Sequence, residues 1–204
     1  MDVLRERKMI PLVEACRIVM DTAAGLQAAW DKRGIVHCDI KPENILLPQE
    51  GGVKIADMGL AEGLATVNED SGGNSFAGSP YYVCPEIILG RPLDHRSDLY
   101  SLGATFFEMV TGRPPYEGND LTEVAGRHLY DTPPDPRQYV PDLPLAACNV
   151  IVRLLKKDPS ERYQCADELN QALQVEVLLS RATRDTSSSG IRAAAAPSRW
   201  KCPS

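Results

Sequence analysis

Between Asp98 and Thr111 nearly every residue is apolar or small, and the run stops at Gly112 ahead of Pro114-Pro115. A surface helix shows one apolar stripe, so a helix apolar around most of its circumference must be buried on most sides. Gly112 can adopt the left-handed conformation that closes a helix, and the prolines prevent its continuation. This segment is therefore expected to be a central rod, and the rest of the chain must wrap around it. The means are present: 43% of the 204 residues are hydrophobic and 25% charged, enough for one globular core.

The neighbouring elements read in the same way. After Pro11, the residues Leu12, Ala15, Cys16, Val19, Ala23, Leu26 and Trp30 recur at three- and four-residue steps, which predicts an amphipathic helix with Pro in its first turn. Lys32-Arg33-Gly34 provides its basic last turn and stop. Ile45-Leu46-Leu47 and Val53-Lys54-Ile55-Ala56 flank Pro48-Gln49-Glu50-Gly51-Gly52, the pattern of a short hairpin. Polar and small residues from Ala61 to Ser79 predict a long loop. Helices are expected over Leu121 to Leu129, Leu145 to Lys156 and Ala166 to about Leu179, with proline-rich Pro133-Pro134-Asp135-Pro136 between the first two. From Ser180 the chain is too poor in large apolar residues to offset the entropy of ordering. Residues 1–179 are thus expected to form the domain and 180–204 a disordered tail or linker.

Composition also excludes some functions. A formal charge of −6 disfavours a nucleic-acid groove, which needs clustered Lys and Arg. No apolar run approaches the roughly twenty residues of a membrane span, and the first residues lack a signal-peptide pattern. Six cysteines occur with no Cys-x-x-Cys pair, so neither a zinc site nor a disulfide framework is signalled. A cytoplasmic location is the expectation.

Chemistry is concentrated in His37-Cys38-Asp39-Ile40-Lys41-Pro42-Glu43-Asn44-Ile45 and in Asp57-Met58-Gly59. These place a carboxylate, an ammonium, an amide and a second carboxylate in close succession. One carboxylate can take or orient a proton, while the lysine offers a point charge to a phosphoryl group. The amide oxygen and the second carboxylate are hard donors suited to magnesium.

In this order the motifs resemble the C-terminal lobe of a eukaryotic-type Ser/Thr protein kinase of the bacterial style. His37-Cys38-Asp39 with Asn44 is similar to the catalytic loop His-Arg-Asp-x-x-x-x-Asn, and Asp57-Met58-Gly59 to Asp-Phe-Gly. Gly78-Ser79-Pro80-Tyr81-Tyr82-Val83-Cys84-Pro85-Glu86 resembles the end of an activation segment. Asp98-Leu99-Tyr100-Ser101-Leu102-Gly103 resembles the family's central helix, and Asp158-Pro159-Ser160-Glu161-Arg162 a late motif. The resemblance implies a mainly α fold, a kinase-like C-terminal lobe with a small β-hairpin beside the catalytic loop and no N-terminal β lobe.

It further implies ATP and Mg2+ as cofactors and a protein Ser/Thr hydroxyl as acceptor. Asp39 and Lys41 are then the catalytic pair. Lys41, Asn44, Leu46 and Asp57 contact the nucleotide, and Asn44 and Asp57 hold the metal. Glu43 and Ser79 face the substrate or belong to the activation segment, with Glu43 placed to meet basic residues before the target. His37, Glu86, Asp98 and Arg162 are structural: Glu86 pairs with Arg162, and Asp98 holds the backbone of the catalytic loop.

Two departures matter. Cys38 stands where the family has arginine, whose guanidinium grips a phosphate on the activation loop. A thiol cannot do so, and phosphorylation at Thr66, Ser71 or Ser75 is therefore not expected to switch activity on. The chain also contains no Gly-x-Gly-x-x-Gly and no Val-Ala-x-Lys strand, the parts that cover and grip ATP in the family. These residues alone are expected to be inactive as a kinase. The lost lobe is expected upstream in cis or on another chain in trans; the alternative is a pseudokinase-like docking module without catalysis.

Overall fold

The structure, a computed structural model, describes residues 8–57 and 79–174. The loop expected after Ala61 with Thr66, Ser71 and Ser75, the Met58-Gly59 pair, the end of the last helix and the tail lie outside the described residues. The described part is mainly helical. Helix α1 spans Leu12–Arg33, α2 Pro85–Ile88, α3 His95–Thr111, α4 Leu121–Tyr130, α5 Leu145–Leu154 and α6 Ala166–Ala172. Strands β1 (Ile45–Leu46) and β2 (Lys54–Ile55) pair antiparallel, with Ile45 opposite Ile55 and Leu46 opposite Lys54. Single 3-10 turns occupy Pro42–Asn44, Pro80–Tyr82, Pro136–Gln138 and Pro159–Glu161.

Helix α3 is the centre, with 14 of its 17 residues buried. It starts three residues before the expected Asp98, because Asp94 caps it by accepting the amide of Arg96 at 2.8 Å. The polar first turn His95-Arg96-Ser97 had hidden this start among apolar residues. Gly112 ends the helix at φ 77°, its amide bound to the carbonyl of Glu108 at 2.7 Å. A β-carbon there would also sit 2.6 Å from the Lys8 carbonyl, so glycine is required twice over. The polar residues inside α3 bond back along the helix: Thr105 Oγ1 donates to the Ser101 carbonyl at 3.0 Å and Thr111 Oγ1 to that of Phe107 at 2.8 Å. Burying them therefore leaves no hydroxyl unpaired.

Helices α1 and α5 pack on α3, and α6 packs on α1. Gly103 brings α3 against α5, since a β-carbon there would lie 2.5 Å from Leu154 Cβ. Of the apolar positions predicted for α1, Ala15, Cys16, Val19, Ala23 and Leu26 are buried, joined by Ile18 and Thr22, while Leu12 and Trp30 are half-buried. Gly34 closes α1 at φ 62°. Phe106, Phe107, Leu102, Leu154 and Leu169 are fully buried in one continuous core, each contributing on the order of 2 kcal/mol by leaving water. The hairpin is shorter than its sequence pattern, with two residues in each strand. The end of α6 passes into a π turn at Leu173 and Gln174. No helix among the described residues is long and apolar enough to cross a membrane.

One buried polar group makes its own contribution to the pH response of the fold. His128 of α4 is wholly enclosed, and burial, then the charge of Lys157, push its pKa down to about 3. The folded value lies below that of an unfolded histidine, about 6.5. Its contribution to stability is therefore complete above pH 6.5 and is lost as pH falls towards 3. Wild type compared with His128→Gln by urea unfolding should lose about 2 kcal/mol of relative stability between pH 7.5 and 5. The comparison isolates His128 from other titrating groups, and an unchanged difference would contradict the account.

Candidate active site

The candidate site is built on the turn between α1 and the hairpin. Asp98, in the first turns of α3, reaches across to it: Oδ2 accepts the amide of His37 at 2.7 Å and Oδ1 that of Cys38 at 2.9 Å. Those two bonds hold Cys38 in the left-handed region at φ 68°, a conformation unfavourable for any residue with a β-carbon. Burial pushes the Asp98 carboxyl up to about 6, the two amides only partly offsetting the lost hydration. His37 joins the turn to the far side of the hairpin. Its Nδ1 accepts the Asp39 amide at 3.3 Å and its Nε2 donates to the Ala56 carbonyl at 2.9 Å. The Thr105 hydroxyl of α3, whose one hydrogen points mainly to Ser101, also lies 3.4 Å from the carbonyl of Ile40.

On this frame Asp39, Lys41 and Asn44 converge. Lys41 Nζ lies 2.6 Å from Asp39 Oδ2, and Asn44 Nδ2 donates to the same oxygen at 2.9 Å and to the Asp39 carbonyl at 2.8 Å. Both partners of Nδ2 are acceptors, which fixes the amide orientation and turns Asn44 Oδ1 away from Asp39. Asp39 Oδ1 has no donor among the described residues, and Asp39 is buried with 9% exposure. The 3-10 turn Pro42–Asn44 brings Asn44 back to Asp39.

Asp57 follows the hairpin and is exposed at φ 58°. The Ala56 amide bonds the Asn44 carbonyl at 2.8 Å, so the two candidate metal ligands sit on adjoining backbone. Their donor atoms are one amide oxygen and one carboxylate, both hard. That set fits Mg2+, which keeps water and phosphate oxygens as its other ligands. No cluster of three His, Cys, Asp or Glu side chains suited to a metal occurs among the described residues. Leu46 is half-buried in β1, Glu43 is exposed beside Asn44, and Ser79 is half-buried at the start of the second described segment.

Glu86 and Arg162 form an ion pair in the core, Nη2 to Oε1 at 2.5 Å and Nη1 to Oε2 at 3.1 Å. Arg162 also donates to the carbonyls of Lys156, Lys157 and Arg96 at 2.8, 3.0 and 2.8 Å. The carbonyls occupy the remaining guanidinium hydrogens, a condition for burying the charge. Cys38 does not act as a reactive thiol: burial, followed by the charges of Asp98 and Asp39, pushes it up to about 12.

Residues 1–174 match the family model described as the protein kinase domain. The chain belongs to that family. Over 176 residues it is 37% identical to a probable serine/threonine-protein kinase PknB of Corynebacterium glutamicum, covering 82% of this chain and 27% of the relative. It is 35% identical over 156 residues to the serine/threonine-protein kinase PrkC of Bacillus subtilis, covering 76% and 24%. Among solved structures, the kinase domain of Mycobacterium tuberculosis PknI aligns at a TM-score of 0.62 with 26% identity, over 83% of this chain and 56% of that one. The chain thus spans about a quarter of the length of these curated relatives.

Within this kinase-family lobe, sequence reasoning missed one group near the site. Tyr82 donates to Glu108 Oε2 at 2.5 Å, and burial raises the pKa of both. The signal was available, since Glu108 is the one acid in the apolar run after Asp98. Two substitutions test the frame. Asp98→Ala leaves two enclosed amides unpaired and should cost about 3 kcal/mol in urea unfolding. Glu86→Ala strands the Arg162 charge in the core and should cost about 3 kcal/mol, the lower end for a broken buried pair because the three carbonyls remain. A loss below about 1 kcal/mol in either variant would contradict the assigned role.

Proposed function

We propose that this lobe serves phosphoryl transfer from ATP to Ser or Thr hydroxyls of a protein. The observation that carries the reading is the convergence of Lys41 and Asn44 on one oxygen of Asp39, the other oxygen having no donor among the described residues. Asp39 Oδ1 accepts the proton of the acceptor hydroxyl as its oxygen bonds to the γ-phosphorus and the bond to the ADP oxygen breaks. Lys41 turns its charge towards the transferring group, while Asn44 holds the Asp39 carboxylate in place. Asn44 Oδ1 and Asp57 are the groups that would hold Mg2+. When bound, the ion neutralises charge on the phosphates. Leu46 borders the nucleotide, and Glu43 with the segment from Ser79 meets the acceptor protein. ATP as donor suits the cytoplasm.

We further propose that these 204 residues alone bind and turn over ATP poorly, since they contain neither a glycine-rich loop nor its strand lysine. A nucleotide-binding lobe, in cis or in trans, completes the site. A docking module without catalysis is the second reading, and it offers no reason for Asp39, Lys41 and Asn44 to face one another.

Calorimetric titration of the chain with ATP and magnesium should give no saturable binding below millimolar concentrations; micromolar affinity would overturn the claim of incompleteness. The transfer itself is tested by radiolabel passing from ATP to casein in a polypeptide where these residues follow a nucleotide-binding lobe. Asp39→Asn should lower kcat at least a hundredfold with little change in KM for ATP, the size expected for loss of a positioned base. A variant as active as its parent would sink the proposed role of Asp39.

A further inference from the structure

The segment 79–84 precedes Pro85-Glu86 and lies against α3 and α4 through its 3-10 turn. Its downstream end is fixed by the Glu86 to Arg162 pair. Its upstream end is held by a different side chain that no motif contains. His128 is completely buried, with Nε2 3.1 Å from the Tyr81 carbonyl and Nδ1 2.9 Å from the Tyr100 hydroxyl. A carbonyl can only accept, so Nε2 carries the hydrogen and Nδ1 must accept from Tyr100. The ring is clamped between two tyrosines, 5.7 Å from Tyr100 and 4.8 Å from Tyr116 between centroids, at 57° and 69°.

Lys157 completes the arrangement. Its ammonium, which can only donate, lies 2.9 Å from the Tyr116 hydroxyl and 3.4 Å from that of Tyr100. Tyr116 passes its own hydrogen to the Asp131 carbonyl at 3.1 Å, and Tyr100 passes its hydrogen to His128. All donors therefore run in one direction, from Lys157 through Tyr100 and His128 to the backbone of the segment. Lys157 also belongs to the turn that meets Arg162, whose guanidinium donates to the Lys157 carbonyl at 3.0 Å and stacks 4.9 Å from the Tyr100 ring centroid. Both ends of segment 81–86 are thus anchored from the same short stretch, 156–162.

We propose that His128 is a positioning residue: as the neutral Nε2–H tautomer it fixes the Tyr81 carbonyl and with it the segment 79–84, on which the acceptor protein is read. The last clause rests on the proposed phosphoryl-transfer function. The anchoring itself does not, and its test needs no ATP.

The test uses the 204-residue chain. Nitrogen-15 spectra of the imidazoles at pH 7 should show the signal that disappears in His128→Gln as a neutral Nε2–H ring; a cationic ring or an Nδ1–H ring overturns the proposal. Hydrogen exchange then reads the segment. In His128→Leu the backbone amides of residues 81–84 should exchange at least tenfold faster relative to those of α3. His128→Gln, whose amide can still donate to Tyr81, should stay within about threefold of wild type. Equal acceleration in both variants, or none in His128→Leu, overturns it. If His128→Leu does not fold, the tautomer measured on the wild-type chain still decides. If the polypeptide that joins these residues to a nucleotide-binding lobe transfers no phosphate while the 204-residue chain behaves as expected in these experiments, the functional reading alone is refuted.

Discussion

The buried carboxylate of Asp98 is the interaction on which the rest depends. It is placed by α3, the most enclosed element of the lobe, and it spends both oxygens on the amides of His37 and Cys38. A peptide turn carrying a residue at φ 68° would relax without them. Because the rod is fixed by packing against α1 and α5, the turn inherits its rigidity. Side chains that must be placed within a fraction of an ångström need this kind of support, and the turn that carries Asp39 receives it from the core.

A second pattern is that two large polar side chains in the core, Arg162 and His128, have their hydrogen bonds complete. Arg162 is fully buried, yet each part of its guanidinium meets Glu86 or a backbone carbonyl. His128 is buried neutral with both nitrogens engaged. Tyr82 and Glu108 share one proton-donating contact. These groups join elements far apart in sequence and fix relative positions that apolar packing alone would leave adjustable. Apolar contacts tolerate sliding, whereas a hydrogen bond 0.5 Å too long is largely lost.

The legible part of the sequence was local. The apolar run of α3, its Gly112 stop, the periodicity of α1 and the small hairpin all follow from residues within one element, and the helical kinase-family fold follows from their order. The convergence of Asp39, Lys41 and Asn44 was within reach because it spans only five residues and one turn. The missed features are polar links between distant positions. Tyr82 to Glu108, His128 to Tyr81 and Lys157 to Tyr116 each need a known chain path before either partner has meaning. The start of α3 was misread for a local reason, because a polar first turn with an Asp cap resembles the loop before it.

The replacement of the family's arginine by Cys38 gains a physical reading from the structure. Cys38 contributes its backbone amide to Asp98, and its thiol donates weakly to the Val36 carbonyl at 3.6 Å. An arginine there would add a cation beside Asp39 and Asp98; the thiol adds none and is itself held protonated by burial and then by those acids. Among the described residues, Lys41 is the cation that pairs directly with Asp39. Its charge has two claims on it, the carboxylate at 2.6 Å and any phosphate that arrives. Organisation of this site then rests on neutral hydrogen bonds from Asn44 and on the Asp98 clamp, neither of which depends on a phosphate elsewhere in the chain. Under the proposed function, order of this kind would be the condition under which fixed dipoles contribute most to stabilising a transition state.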